Sequence, residues 1–304
     1  MRGDLGPLEV LRPQRLAEAL AWMSEAATGD RPMPIAGGTD LYVGLNAGQS
    51  PAGRYLDLSR LDELAGIERR ADGLWLGART TYTELRRSPL VRRAVPVLAE
   101  MAASVGAVAI QNRGTLGGSL GNASPASDPA PVLLALDAQV ELAARDGRSV
   151  ARRRVALDRF FVAYRQTAAR PEELIAGLLL PTAALAGWRY AYRKVGTRQA
   201  QAISKVVAAV GVEFGGRPRR VRAARIAFGS VAPTPVRARA AEAALAGRPL
   251  DLAAAVAAAR ALVADDILPI DDLRSSAAYR TLVAGRMLRD LLGRLGGFQP
   301  DPDL

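Results

Sequence analysis

Ile110-Gln111-Asn112-Arg113-Gly114-Thr115-Leu116-Gly117-Gly118-Ser119-Leu120-Gly121-Asn122-Ala123-Ser124-Pro125-Ala126-Ser127-Asp128-Pro129 is the densest stretch of this chain in residues that are small and polar at once. Its Gly, Ser and Asn content argues against a regular element, and its apolar start sets it apart from a disordered linker. Gly114 and the Gly117-Gly118 pair allow a ligand to approach the backbone closely. Thr115 to Ser119, including Leu116, offers N–H and hydroxyl donors without bulk. Asn122, Ser124 and Asp128 add polar groups further on. The spacing is neither Gly-x-Gly-x-x-Gly after a strand nor Gly-x-x-x-x-Gly-Lys-Ser/Thr, so neither a Rossmann nor a P-loop nucleotide site is indicated.

A second glycine loop lies upstream. Met33-Pro34-Ile35 reads as a short strand and runs into Ala36-Gly37-Gly38-Thr39-Asp40-Leu41. Successive N–H groups through paired glycines form a nest that suits a phosphate, and Thr39 adds a hydroxyl donor. Alone, the pentapeptide is equally a plain turn between strands. Two such loops in one domain fit a diphosphate held between two subdomains.

Around these loops the periodicity gives alternating elements. Gln14 to Thr28 reads as an amphipathic helix with Leu16, Leu20 and Met23 on one stripe. Tyr55–Leu58 and Gly73–Gly77 read as short strands. Thr81 and Glu84 are spaced like a capping box opening a helix, and a longer helix is expected over Val95–Val105. Pro131–Leu136 reads as a helix, Ala138–Leu142 as a strand, and Glu173–Leu180 as a strand stopped by Pro181. Beyond Pro181 the pattern changes. Trp188–Val195 and Arg222–Val231 read as strands, and Ala202–Val212 is apolar with small residues. Ala-rich helices are expected over Val236–Ala246, Leu252–Ala264 and Ser276–Leu292. The chain therefore divides into a domain over 1–182 and a smaller α+β domain over 187–295, with a frayed tail over 296–304.

Composition excludes much chemistry. The 304 residues contain no cysteine and no histidine. Disulfides, thiolate nucleophiles, Cys-ligated clusters, imidazole bases and Ser-His-Asp triads are all absent. Redox chemistry would need a bound organic cofactor. No apolar run is long enough for a transmembrane helix, and the first residues lack the apolar core of a signal peptide, so a cytoplasmic location is expected. The formal net charge is +11. Of the 41 basic residues only Lys194 and Lys205 are lysines, an Arg-for-Lys bias typical of a GC-rich, Ala-rich proteome. The clusters Arg152-Arg153-Arg154 and Arg217, Arg219, Arg220, Arg222, Arg225 are short and lack interleaved aromatics, which argues against nucleic acid.

Ile35 to Leu41 resembles the first FAD loop of the flavin subunits of molybdenum hydroxylases, the xanthine dehydrogenase and carbon-monoxide dehydrogenase medium-subunit family. Gln111 to Pro129 resembles its second loop almost position by position. Leu178-Leu179-Leu180-Pro181 and Tyr192-Arg193-Lys194-Val195-Gly196-Thr197-Arg198 resemble two further landmarks in the right order. The resemblance implies an α+β fold: a vanillyl-alcohol-oxidase/p-cresol-methylhydroxylase-type FAD-binding domain of two subdomains, followed by a small flavoprotein C-terminal domain. It implies cofactor contacts from Ile35, Ala36, Gly37, Gly38, Thr39, Asp40 and Leu41, and from Gly114, Thr115, Leu116, Gly117, Gly118, Ser119, Asn122 and Ser124. By the same resemblance Asp128 would bond sugar hydroxyls, Ile175 and Val105 would flank the adenine, and Tyr192 and Lys194 would lie near the isoalloxazine. A cation beside the N1/C2 edge would raise the flavin potential. Relatives commonly carry an acidic residue in the loop 197–204, where Gln201 stands here.

With no His or Cys, histidyl and cysteinyl attachment are impossible, and FAD is expected to be non-covalent. Molybdopterin and [2Fe-2S] clusters are expected only on partner subunits, a large one and a small one. The implied activity is oxidoreductase electron transfer from those clusters through FAD to NAD, oxygen or a quinone. This chain itself is expected to hold no metal and no catalytic acid or base. The alternatives are a free-standing FAD-dependent oxidase or reductase of the same fold, and a binding module that has lost its flavin.

Overall fold

A computed structural model describes residues 8–26, 30–49, 52–184, 186–198, 201–216 and 220–299. The expected helix positions Thr28 and Ala27, the arginines 217 and 219, and the tail residues 300–304 lie outside the described residues.

The first layer is a small parallel sheet. β1 (Glu9–Leu11), α1 (Leu16–Glu25), β2 (Met33–Ile35), α2 (Leu41–Asn46) and β3 (Arg54–Asp57) form it, with strand order β1-β3-β2. The α1 stripe Leu16, Leu20 and Met23 buries against Leu56, Leu58, Leu61 and Leu64, as a 3.6-residue period requires.

The second layer is an antiparallel sheet of order β4-β5-β10-β6-β7. Its strands are β4 (Ile67–Arg70), β5 (Gly73–Gly77), β6 (Gln139–Asp146), β7 (Ser149–Ala156) and β10 (Leu174–Pro181). Between β5 and β6 run six short helices: α3 (Tyr82–Arg87), α4 (Pro89–Ala94), α5 (Pro96–Ser104), α6 (Val108–Gln111), α7 (Leu116–Asn122) and α8 (Pro129–Ala135). The Thr81/Glu84 capping box is present at α3. The hairpin β8 (Phe161–Ala163) and β9 (Gln166–Thr167) hangs between β7 and β10.

The arginine run 152–154 is the face of the edge strand β7. Arg152 and Arg154 reach the buried Glu141 at 2.7 and 3.4 Å, while Arg153 on the other side holds Glu173 through two bonds of 2.6 and 2.7 Å. Charges on an edge discourage further strand pairing, which gives this cluster a structural reason.

The third layer is the meander β11 (Trp188–Val195), β12 (Val206–Gly215), β13 (Arg220–Gly229) and β14 (Val236–Arg237), followed by α9 (Arg239–Leu245), α10 (Leu252–Ala261) and α11 (Ala277–Gly296). β12 accounts for the small-apolar run of the sequence. Val206, Ala208, Val210 and Val212 enter one core with α9 to α11, whereas Val207 and Ala209 enter the core of the second layer. A strand covered on both faces loses the polar alternation of a half-exposed one. The sheet is thus sandwiched between the first domain and the helices of its own domain.

Two expectations need correction. The stretch 110–129 is not irregular: α6, α7 and the start of α8 occupy much of it. Leu116 and Leu120, one turn apart, both bury and override glycine's poor helix propensity. The helix expected over Val236–Ala246 begins only at Arg239, because Val236 and Arg237 pair with β13. No helix among the described residues is long and apolar enough to cross a membrane.

Leu288 on α11 is fully buried. Replacing it with alanine is expected to cost about 2–5 kcal/mol, read as a lower urea midpoint with an unchanged slope.

Candidate cofactor-binding site

The two glycine loops touch. A Cβ on Gly37 would sit 1.8 Å from the carbonyl oxygen of Arg113, so only glycine lets the first loop lie against the second. Gly38 has φ +72°, the left-handed region that favours glycine. It turns the chain from β2 into α2, where Asp40 stands at the N-cap and Leu41 opens the helix. Among the described residues, no acceptor meets the N–H groups of Gly37, Gly38 and Thr39 or the Thr39 hydroxyl. Three main-chain donors and one hydroxyl therefore stand at a half-buried turn. That is the donor set of an anion nest.

The second loop contributes differently from the sequence expectation. The N–H groups of Leu116 and Gly117 donate to the carbonyls of Thr80 and Ala78 at 3.0 and 2.8 Å. That of Ser119 donates to the Thr115 carbonyl at 3.0 Å, and that of Gly118 to the Thr115 hydroxyl at 3.0 Å. These donors are taken up in anchoring α7 to the end of β5. What the loop offers is bare surface. Gly117 is buried, and a Cβ there would meet Ala78 at 2.6–3.0 Å. Gly118 is exposed, and its only close neighbour would be the Thr115 hydroxyl at 2.9 Å. Gly114 is buried against Tyr82.

Further along α7, Ser119 bonds the Ser127 hydroxyl at 3.0 Å, and Asn122 accepts from Arg165 at 3.2 Å. Ser124 accepts the Ala126 N–H at 3.2 Å. Ile175 lies alongside: a Cβ on Gly121 would be 3.7 Å from its Cδ1. Val105 ends α5, and its carbonyl accepts from the buried Gln111 amide at 2.9 Å. Ile35 and Ala36 are half-buried at the entry to the first loop.

Asp128 and Lys194 form a pair across the domain boundary. The Lys194 ammonium donates to one Asp128 oxygen at 2.6 Å and to the Ser104 carbonyl at 3.1 Å. Ser204 donates to the other Asp128 oxygen at 2.5 Å. Both side chains are about nine-tenths buried, at 11% and 10% exposure. Burial pushes the Asp128 carboxyl above the usual carboxylate range, while the Lys194 charge and the Ser204 hydroxyl pull it back. Tyr192 is buried in the shared core with its hydroxyl on that of Ser104 at 2.8 Å, and burial beside Asp128 raises its phenol well above the ordinary value. Burial also raises Tyr82, partly offset by its bond to Ser119.

Ser104, Ser204, Tyr82 and the Arg113 carbonyl were not legible as site groups. Each is a common residue in an ordinary local pattern, and only long-range contacts bring it to the site.

Residues 6–183 match the family model described as the FAD binding domain in molybdopterin dehydrogenase, and residues 190–295 match the CO dehydrogenase flavoprotein C-terminal domain. The chain belongs to the FAD-binding medium-subunit family of the molybdenum hydroxylases. It is 30% identical to the carbon monoxide dehydrogenase medium chain of Hydrogenophaga pseudoflava, covering 92% of this chain and 94% of that one. It is 32% identical to the glyceraldehyde dehydrogenase medium chain of Sulfolobus acidocaldarius, covering 89% and 92%. The fold superposes on the carbon monoxide dehydrogenase of Hydrogenophaga pseudoflava with a TM-score of 0.87 at 32% identity, covering 95% and 96%. Quinoline 2-oxidoreductase from Pseudomonas putida 86 gives 0.86 at 26% identity, covering 97% and 98%. These homologues are oxidoreductase subunits, and the first domain of this chain is an FAD-binding domain. The open donors at Gly37–Thr39 and the side-chain-free surface at Gly118 fit the pyrophosphate of that cofactor.

The two neighbouring glycines should respond differently. Gly118→Val is expected to leave the melting temperature within a few degrees of wild type while purified protein loses its flavin absorbance. Gly117→Val should lower the melting temperature itself, since its side chain meets the Ala78 backbone. Asp128→Asn leaves the Lys194 charge buried without its counter-ion, and a loss of about 3–5 kcal/mol in unfolding free energy is expected by denaturant titration.

Proposed function

We propose that this chain is the FAD-carrying electron-transfer subunit of a cytoplasmic molybdenum hydroxylase complex. It takes electrons from the [2Fe-2S] clusters of a small partner subunit and delivers them to NAD or another acceptor. The substrate is oxidised elsewhere, at molybdopterin on a large partner subunit. The observation that carries the reading is the pair of glycine loops in contact, with free main-chain donors on one and bare surface on the other.

FAD, when bound, supplies reversible electron transfer; the chain supplies binding and electrostatics. Gly37, Gly38 and Thr39 would donate to the pyrophosphate, and Gly118 and Ser119 would leave room for it. Ile175 and Val105 would flank the adenine. Lys194 would hold positive charge near the ring, fixed there by Asp128 and the Ser104 carbonyl, and Tyr192 would pack behind it. No general acid or base is needed, which agrees with a chain lacking histidine and cysteine. The names of the relatives support a heteromeric setting: medium chains of carbon monoxide and glyceraldehyde dehydrogenases, and an FAD-binding subunit of xanthine dehydrogenase in Escherichia coli O157:H7.

The test is purification of the tagged chain alone and after co-expression with the reading frames flanking its gene. Alone, it should be yellow, release FAD on acid precipitation and oxidise no organic substrate. Co-expressed, it should carry iron and molybdenum and become reducible by substrate. A colourless product in both cases overturns the reading. Yellow protein that oxidises a small substrate unaided would favour a free-standing oxidase.

A further inference from the structure

Ser230, just past the end of β13, has φ +66°. Serine rarely takes the left-handed region, and a residue held there is over-determined by its surroundings. Ser230 is buried, and its three polar groups bind three separate segments. The N–H donates to the Pro125 carbonyl, within the stretch 110–129, at 2.8 Å. The hydroxyl donates to the Ser204 carbonyl at 2.9 Å. The Ser230 carbonyl accepts from the Arg280 guanidinium of α11 at 2.7 Å. The preceding Gly229 lets this junction close. A Cβ there would sit 2.8 Å from the Val207 side chain and 3.1 Å from the Pro125 carbonyl oxygen.

From Ser230 a line of buried hydrogen bonds leads to the ion pair. Ser204 is buried, its carbonyl is held by Ser230, and its hydroxyl donates to Asp128 at 2.5 Å. The other Asp128 oxygen takes the Lys194 ammonium at 2.6 Å. Lys205 follows Ser204, and its N–H donates at 2.8 Å to the carbonyl of Val195, the neighbour of Lys194. Behind Ser230, the buried Arg280 also donates to the Lys205 carbonyl at 3.2 Å and meets Asp272 at 2.7 Å. Asp272 is fixed in turn by the N–H groups of Arg274 and Ser275 at 2.8 and 3.0 Å. The backbone around Ser204 is thereby held from α11 and from the end of β13, with its hydroxyl on Asp128.

That hydroxyl bears on the charge of the pair. A hydrogen bond donated to a carboxylate disperses its negative charge. Lys194 uses two of its three N–H donors on Asp128 and the Ser104 carbonyl, which leaves one open among the described residues. How much of the Lys194 charge stays uncompensated depends on how far Ser204 disperses the charge of Asp128. In a buried site such differences are weakly screened.

We infer that Ser204, locked in place by Ser230, is a positioning residue for the redox reaction: its bond to Asp128 sets the net positive charge that Lys194 presents to the flavin. This rests on the place proposed above for Lys194 beside the ring. Both serines act through Asp128 rather than on the cofactor.

The test uses the full-length chain loaded with FAD and equilibrated without oxygen against a reference dye of known potential. It reads the equilibrium constant for flavin reduction, and melting temperatures are taken on the flavin-free proteins. Ser204→Ala removes the hydroxyl. Ser230→Gly removes the link to Ser204, and glycine accepts φ +66° without strain. Without the Ser204 bond Asp128 offsets Lys194 more fully, so the anionic reduced flavin loses stabilisation. Both variants should bind FAD, and both constants should fall at least about threefold below wild type, within what one hydrogen bond to a charged group is worth. A merely structural serine would lower the melting temperature and leave the constant unchanged. A constant at or above the wild-type value in either variant overturns the relay. Lys194→Gln separates the relay from the placement of Lys194. A lower constant in Lys194→Gln beside unchanged serine variants strikes the relay alone and leaves Lys194 at the ring. An unchanged constant in Lys194→Gln removes Lys194 from the ring, and the relay falls with it. Wild type that takes up no FAD overturns the proposed function as a whole.

Discussion

The buried pair of Asp128 and Lys194 is the constraint around which the two domains are arranged. Neither charge is stable out of water without the other. Asp128 belongs to the FAD-binding domain and Lys194 to the first strand of the C-terminal domain, so the pair exists only when the domains dock. Ser204 and the Ser104 carbonyl, one from each side, complete its hydrogen bonds. The packing around it follows the same logic. Tyr192, Val207, Ala209 and Ala227 of the C-terminal sheet enter the core of the first domain, and the opposite faces of the same strands build a core of their own. One sheet therefore serves two hydrophobic layers, and the ion pair marks its edge.

The glycine loops show a division of labour that residue types alone conceal. Both loops are rich in small residues, yet one keeps its main-chain donors free while the other uses them to hold a helix to a strand. The second loop presents bare surface, and the first presents open donors. Open main-chain donors of this kind suit the anionic part of a ligand.

Some misreadings have plain physical causes. α7 was hidden because Gly117, Gly118 and Gly121 are poor helix formers; burial of Leu116 and Leu120 and the Thr115 cap outweigh that propensity. β7 was hidden because its charges sit on both faces, a pattern that an edge strand with buried carboxylate partners tolerates. The short strand β14 was absorbed into a neighbouring helix because its two residues acquire strand character only from pairing with β13.

By itself the sequence determined the elements whose signal is local: the amphipathic α1, the capping box at Thr81, the Ala-rich helices of the second half and the two glycine loops. It also determined the family, because long motifs in a fixed order are specific, and it excluded histidyl and cysteinyl attachment of a flavin, because both residue types are missing. Only the tertiary structure decided which N–H groups are free, that Gly37 must be glycine to clear a carbonyl 76 residues away in the chain, and that Asp128 is paired with Lys194. Each of these depends on contacts between segments far apart in sequence. The exposed leucines of the loop between α10 and α11 belong to the same class. Their aliphatic side chains carry no sign of exposure in the sequence, and only the packed domain shows that no described residue covers them.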